Sequence, residues 1–214
     1  MGAGGLGMKK PMSRRQFLKG VGVVGAGSAL ATEILEREET AAKTEPLPAG
    51  PTLQGMQAVT LRVNGKDVPV QVEPRTTLLN ALRNHADPPI TGPKLVCDQG
   101  ACGACTVLVD GKTAYSCLLL AVDMAGKEIT TVEGLAPEGR LSPVQEAFVE
   151  KDALMCGFCT PGFVMSVHAL LQASPNPSLD EVKRACAGNT CRCGAYPRIF
   201  EAALEAAKNG QGRA

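Results

Sequence analysis

Residues 97–117 read Cys97-Asp98-Gln99-Gly100-Ala101-Cys102-Gly103-Ala104-Cys105-Thr106-Val107-Leu108-Val109-Asp110-Gly111-Lys112-Thr113-Ala114-Tyr115-Ser116-Cys117. Three cysteines crowd a Gly-rich loop. A β-branched run, an Asp-Gly turn and a fourth cysteine follow. If Thr106 to Ser116 folds as a hairpin, Cys117 returns beside the loop, and the spacing C-x4-C-x2-C-x11-C gathers four thiols. Four thiolates are the ligand set of one 2Fe–2S cluster. Such a cluster is anionic, so the loop has to wrap it and aim backbone N–H groups at sulfur. Gly100 and Gly103 give the loop the φ angles and close approach this requires. Zinc fits less well, because zinc sites usually pair two short C-x2–4-C halves. Disulfides are a second alternative, and the strand pattern around the loop argues against them.

Outward from the loop, Val59, Leu61 and Val63 alternate with polar residues, Asn64-Gly65 follows, and Val68, Val70 and Val72 alternate again. Two alternating runs around Asn-Gly predict a β-hairpin. Pro69 would face outward on an edge strand. Residues 76–83 predict a short helix capped by Thr, and residues 129–132 predict a last strand. A hairpin, a helix across its face and further strands is the order of a β-grasp domain. With the C-x4-C-x2-C…C spacing, residues 58–136 are similar to a plant-type ferredoxin.

Beyond Leu141 the pattern becomes helical. Ser142-Pro143 opens one helix to about Lys151, and Thr160-Pro161 is expected to cap and open a second through Ala173. Ser178 caps a third to about Ala187, and a fourth runs from about Pro197 to Lys208, ending at Asn209-Gly210. Residues 137–214 therefore predict a four-helix bundle, making the whole chain α+β. This half carries the second group, Cys156, Cys159, Cys191 and Cys193, spaced C-x2-C-x31-C-x-C. Alone, Cys156-x2-Cys159 could be a redox dithiol. Paired with Cys191-Arg192-Cys193 at helix ends, it reads as a second cluster site, because helix N-termini favour an anionic group. Arg192 adds a positive charge between two ligands and is expected to raise that site's potential; otherwise it is a solvated surface charge.

Composition fits a metal-stapled fold. Aromatics are 3% of residues and Trp is absent, so a module of this size has a thin core. Bound metal adds directly to its folding free energy. The net charge of +1 and the lack of a basic patch argue against nucleic acid as a partner.

The first 31 residues read as a signal rather than fold. Ser13-Arg14-Arg15-Gln16-Phe17-Leu18-Lys19 matches a twin-arginine export motif, residues 20–30 are weakly apolar, and Ala29-Leu30-Ala31 offers a cleavage site. The apolar stretch is too short for a spanning helix, so no membrane span is expected in the mature chain. The expected destination is the periplasm. Residues 32–57, rich in Glu, Ala and Pro, read as a linker.

Cys156-Gly157-Phe158-Cys159-Thr160-Pro161-Gly162 and Gly188-Asn189-Thr190-Cys191-Arg192-Cys193, together with the residue 97–117 segment, resemble the two-cluster iron–sulfur subunit of the xanthine dehydrogenase/aldehyde oxidase family of molybdenum hydroxylases. The Cys-Arg-Cys-Gly-Ala-Tyr variant and the twin-arginine motif look most like exported aldehyde oxidoreductase small subunits. The resemblance implies that molybdopterin sits in a separate large subunit, where an aldehyde or N-heterocycle is hydroxylated. It also implies that electrons enter at the Cys156–Cys193 site and leave from the Cys97–Cys117 site, to FAD on a medium subunit or to a cytochrome. The family commonly places Gln before the first cysteine of the helical motif, against the pterin. This chain has Met155, whose thioether cannot donate a hydrogen bond. Gly194-Ala195 replaces the frequent Thr-Gly.

Cys186 reads as a buried hydrophobe, because eight other cysteines already fill two sites. His85 and His168 read as surface or packing residues, and Val164, Met165 and Leu170 as core. No general base, nucleophile or open metal site is visible, so no turnover is expected from this chain alone. The competing readings are a stand-alone periplasmic two-cluster carrier and a zinc or thiol module.

Overall fold

Alternation shapes the first hairpin. Val59, Leu61 and Val63 of β1 (Gln57–Val63) and Val70 and Val72 of β2 (Lys66–Val72) are buried, while their neighbours face outward. Asn64 and Gly65 take the left-handed angles the tight turn demands, φ 52° and 74°. The strands pair antiparallel, and exposed Pro69 sits opposite Thr60. β2 is an edge strand, where a missing N–H costs no ladder bond.

Thr77 caps α1 (Leu78–Asn80), accepting from the Asn80 N–H, and the helix widens into a π turn over Ala81–His85. Leu78, Ala81 and Leu82 are packed under the hairpin. The chain then forms β3 (Thr106–Val109), β4 (Lys112–Tyr115), a 3-10 turn at Ser116–Leu118 and β5 (Glu128–Thr130). The sheet order is β2-β1-β5-β3-β4, with β1 and β5 parallel and the other pairs antiparallel. The last strand is shorter than its sequence predicts, because Val132 already belongs to a 3-10 turn, Val132–Leu135.

Four helices follow: α2 (Pro143–Glu150), α3 (Thr160–Ala173), α4 (Leu179–Ala185) and α5 (Tyr196–Gln211). Ser142 with Gln145, and Ser178 with Glu181, form reciprocal capping boxes that fix the starts of α2 and α4. α5 runs through Asn209 and Gly210 instead of stopping there. Phe163, Met165, Val167, Val182 and Ile199 fill the helical core, to which β3 contributes Leu108. Val107, one residue earlier, points into the sheet's other core. The period-two strand thus serves both cores, and residues 53–214 form one compact unit.

The computed structural model describes residues 52–136 and 139–211. The export signal and most of the expected linker lie outside the described residues. Among those described, no helix is long and apolar enough to cross a membrane.

Candidate metal centres

The eight clustered cysteines converge as two sets, and within each set they pair two by two. Cys97 lies against Cys102, and Cys105 against Cys117. In the second set Cys156 lies against Cys193, and Cys159 against Cys191. Cys117 also feels the charge of Cys97, Cys159 that of Cys156, and Cys193 that of Cys191, so each set is one site. Among the described residues, no three metal-ligating side chains close around a point as the ligands of one ion do. Two pairs per site suit two irons joined by sulfide better than one tetrahedral zinc.

The loop bearing the first set is held open by its glycines. Gly100 and Gly103 have φ of 72° and 68°. A Cβ on Gly100 would stand 2.4 Å from Leu118 Cδ1, and one on Gly103 would stand 2.4 Å from the Gly188 carbonyl oxygen. Leu118 is a flexible side chain that can swing aside, so the positive φ calls for glycine at residue 100, while at Gly103 both φ and the facing backbone oxygen do. With the backbone turned this way, the Ala101 N–H points at Cys97 Sγ, 3.3 Å away. The Gln99 N–H, then the Cys102 thiol and the Ala101 and Cys102 N–H groups, outweigh burial and lower the Cys97 pKa to about 7. Cys105 and Cys117 lie deeper and pack with Leu79 in a small apolar cluster. Burial, reinforced by the neighbouring Cys105 thiol, pushes Cys117 up to about 12.

The second set sits at two helix starts. Cys159 is the N-cap residue of α3. The expectation that Thr160 caps this helix is corrected: Thr160 lies inside the first turn and its hydroxyl caps nothing. Its Oγ1 is buried with no protein partner, one residue from Cys159. A bound anionic cluster would give that hydroxyl an acceptor. Cys191 precedes α5, and the Ala195 N–H points at its Sγ, 3.3 Å away. Burial opposes ionisation of Cys191, yet the N–H groups of Ala195, Cys193 and Gly194 and the Cys159 thiol together bring its pKa down. Tyr196 accepts the Cys191 N–H at 2.9 Å. Burial, with the adjacent Cys191 thiol, pushes Cys159 up to about 12.

These opposed shifts are a test of fit. Each site pairs a thiol whose pKa is lowered with one whose pKa is raised, Cys97 with Cys102 and Cys191 with Cys159. Iron supplies the positive charge that lets both members of a pair deprotonate. Backbone N–H groups aimed at sulfur, paired thiols and an orphaned hydroxyl all suit an anionic iron–sulfur group.

Cys156, Cys193 and Arg192 are exposed. Around Cys156 lie the exposed apolar side chains Leu154, Met155 and Phe158, and near Cys97 and Cys117 lie Leu95, Val96 and Leu118. Cys186 is 2% exposed in the helical core, where burial raises its pKa to about 11, as its reading as a hydrophobe expects. Met165 and Val164 are core as expected. His85 is exposed, and burial lowers the pKa of half-buried His168. Sequence reasoning missed Thr160 and Asn189 as site residues. Their signal was a hydroxyl or amide placed one or two positions from a ligand cysteine.

Residues 58–160 match the family model of a 2Fe-2S iron-sulfur cluster binding domain, and residues 131–204 that of a 2Fe-2S binding domain. Residues 11–31 match the model of the twin-arginine translocation pathway signal sequence, so the chain is exported to the periplasm by that route. The chain is 51% identical over 148 residues to the nicotine 6-hydroxylase small subunit of Paenarthrobacter nicotinovorans, covering 69% of this chain and 88% of that one. It is 39% identical over 211 residues to the aldehyde oxidoreductase iron-sulfur-binding subunit PaoA of Escherichia coli O157:H7, covering 92% and 88%. A chain of quinoline 2-oxidoreductase from Pseudomonas putida 86 superimposes with a TM-score of 0.69 at 40% identity, covering 74% of this chain and 98% of that one.

Proposed function

The chain belongs to the iron–sulfur small subunits of the xanthine dehydrogenase/aldehyde oxidoreductase family of molybdenum hydroxylases, and on that premise we propose which residues hold its clusters and how they carry electrons. It is an electron-transfer subunit of an oxidoreductase complex and is not catalytic alone. Residues 58–136 act as a β-grasp ferredoxin domain whose cluster is held by Cys97, Cys102, Cys105 and Cys117, with Gly100 and Gly103 shaping the loop. Residues 137–214 act as a helical domain whose cluster is held by Cys156, Cys159, Cys191 and Cys193. Each 2Fe–2S cluster, when bound, takes up and releases one electron at a time. The two-by-two pairing of the thiols is the observation that carries this reading.

The exposed apolar residues around Cys156 suit burial against a large molybdopterin subunit, since contiguous apolar surface marks an interface. Those around the first loop suit the exit side, toward an FAD-binding medium subunit or a cytochrome. Met155 lies on the entry face, 65% exposed, and offers its partner apolar surface in place of an amide. The periplasmic complex is expected to purify with a molybdenum-containing subunit. Its visible iron–sulfur bands are expected to bleach when an aldehyde or N-heterocycle is added anaerobically. A chain that purifies alone, and bleaches only with external reductants, would favour a stand-alone two-cluster carrier.

Arg192 tests the electrostatics of the entry site. Arg192 stands in the chain between two ligand positions, Cys191 and Cys193, and a cation near the cluster favours its reduced, more negative state. Arg192→Gln is expected to lower the midpoint potential of one EPR signal and leave the other in place. An unchanged potential in a redox titration would make Arg192 an ordinary solvated charge.

A further inference from the structure

We propose that Asn189 is the positioning residue that fixes the two cysteine loops against each other, and so sets the rate at which an electron crosses between the two sites. The proposal rests on the ligand assignment above. Asn189 is 5% exposed; it stands on one ligand-bearing segment and its side chain reaches two others. Its Nδ2 donates to the Gly103 carbonyl at 2.9 Å, inside the first loop, and to Thr106 Oγ1 at 3.3 Å, where that loop enters β3. Its Oδ1 accepts from Ser166 Oγ at 2.8 Å, on the helix that begins at Cys159. Asn189 itself stands two residues before Cys191. One amide therefore ties the Cys97–Cys105 loop, the Cys159 helix and the Cys191–Cys193 segment.

The surroundings are built for close approach. A Cβ on Gly103 would stand 2.4 Å from the Gly188 carbonyl oxygen, and one on Gly162 would stand 2.2 Å from the Gly103 carbonyl oxygen. A Cβ on Gly188 would stand 2.0 Å from the Tyr115 hydroxyl, which donates to the Gly188 carbonyl at 3.0 Å. At the centre of this contact the Thr190 N–H donates to the Cys102 carbonyl at 2.9 Å, joining residues adjacent to or within the two ligand sets. Electron transfer across a protein falls steeply with separation, so a contact this tight matters to rate as well as to stability. The Gly103 carbonyl also accepts from Thr106 Oγ1 at 2.6 Å and the Thr106 N–H at 3.1 Å. Loss of the Asn189 amide therefore leaves that carbonyl satisfied. What is lost is the link that runs from that carbonyl through Asn189 to Ser166 and α3, which is why the effect is one of position.

Asn189→Asp keeps the size and replaces two N–H donors by an oxygen facing the Gly103 carbonyl. Ser166→Ala is the milder variant, removing only the hydroxyl that anchors Oδ1. Both are to be made in the whole complex. Three quantities are read: iron content, the spin–spin splitting between the two reduced clusters in EPR, and the inter-cluster transfer rate after laser-flash reduction. Both variants are expected to retain iron and both EPR signals. The splitting narrows and the rate falls severalfold in Asn189→Asp, and both change less, in the same direction, in Ser166→Ala. Unchanged splitting and rate in both variants overturns the proposal. So does loss of a cluster in Asn189→Asp with an unaltered Ser166→Ala, which makes Asn189 a folding residue only. A wild-type complex with a single EPR signal would sink the two-site reading itself, and this proposal with it.

Discussion

Cys117→Ala is expected to remove one of two EPR signals and leave the other, with iron falling from about four to about two per chain. Cys117 comes from the 3-10 turn after β4 and meets Cys105 in an apolar cluster with Leu79. The other three thiols of its set stand on the loop before β3, so one substitution dismantles one site. The four cysteines of the second set are positioned by α3 and α5 and by the separate helical core around Phe163 and Ile199. That core does not contain Cys117, so the second site is expected to persist. The temperature at which the remaining visible absorbance is lost should also fall, because metal binding contributes folding free energy to the sheet half. Loss of both signals together, or retention of both, would contradict the assignment of ligands.

Gly162→Ala is the second large effect, and magnitudes decide its sign. Gly162 lies in the first turns of α3 with no positive φ, so propensity alone would have alanine stabilise the helix by about 1 kcal/mol. The added Cβ would stand 2.2 Å from the Gly103 carbonyl oxygen and 2.9 Å from Asn189 Nδ2. The first neighbour is backbone and cannot swing aside. Overpacking typically costs about 1–3 kcal/mol and occasionally more, and here it acts on the contact between the two cysteine loops. Net destabilisation is expected, read as a lower temperature for bleaching of both clusters. A variant that bleaches at a higher temperature than wild type would show that the loops separate freely and that the contact is soft.

Cysteine spacing marked out the two groups of thiols that the fold brings together, because a ferredoxin-like loop leaves its mark as local sequence. The hairpin around Asn64-Gly65, the edge position of Pro69 and the capping residues Ser142 and Ser178 were legible for the same reason: each is decided by residues within a few positions of one another. The pairing of thiols within each set was not legible, since it depends on how the hairpin and helices fold back. The capping of α3 was read one residue late. Thr160 is the better N-cap by residue type, but the N-cap position falls on Cys159, which puts that cysteine at the helix end and leaves the threonine hydroxyl buried without a protein partner. The Asn189 clamp was invisible for a different reason. Its partner Gly103 is 86 residues away, and no local pattern announces a bond across that distance. Gly162 and Gly188 were the available hint, as glycines beside ligand cysteines in positions that no turn requires.

Electron relay through this chain requires iron held at two separate four-cysteine sites. The direct measurement is iron content together with EPR of the anaerobically purified, dithionite-reduced protein. About four irons per chain and two distinguishable 2Fe–2S signals are expected. A colourless protein, zinc in place of iron, or a single signal with about two irons would contradict it.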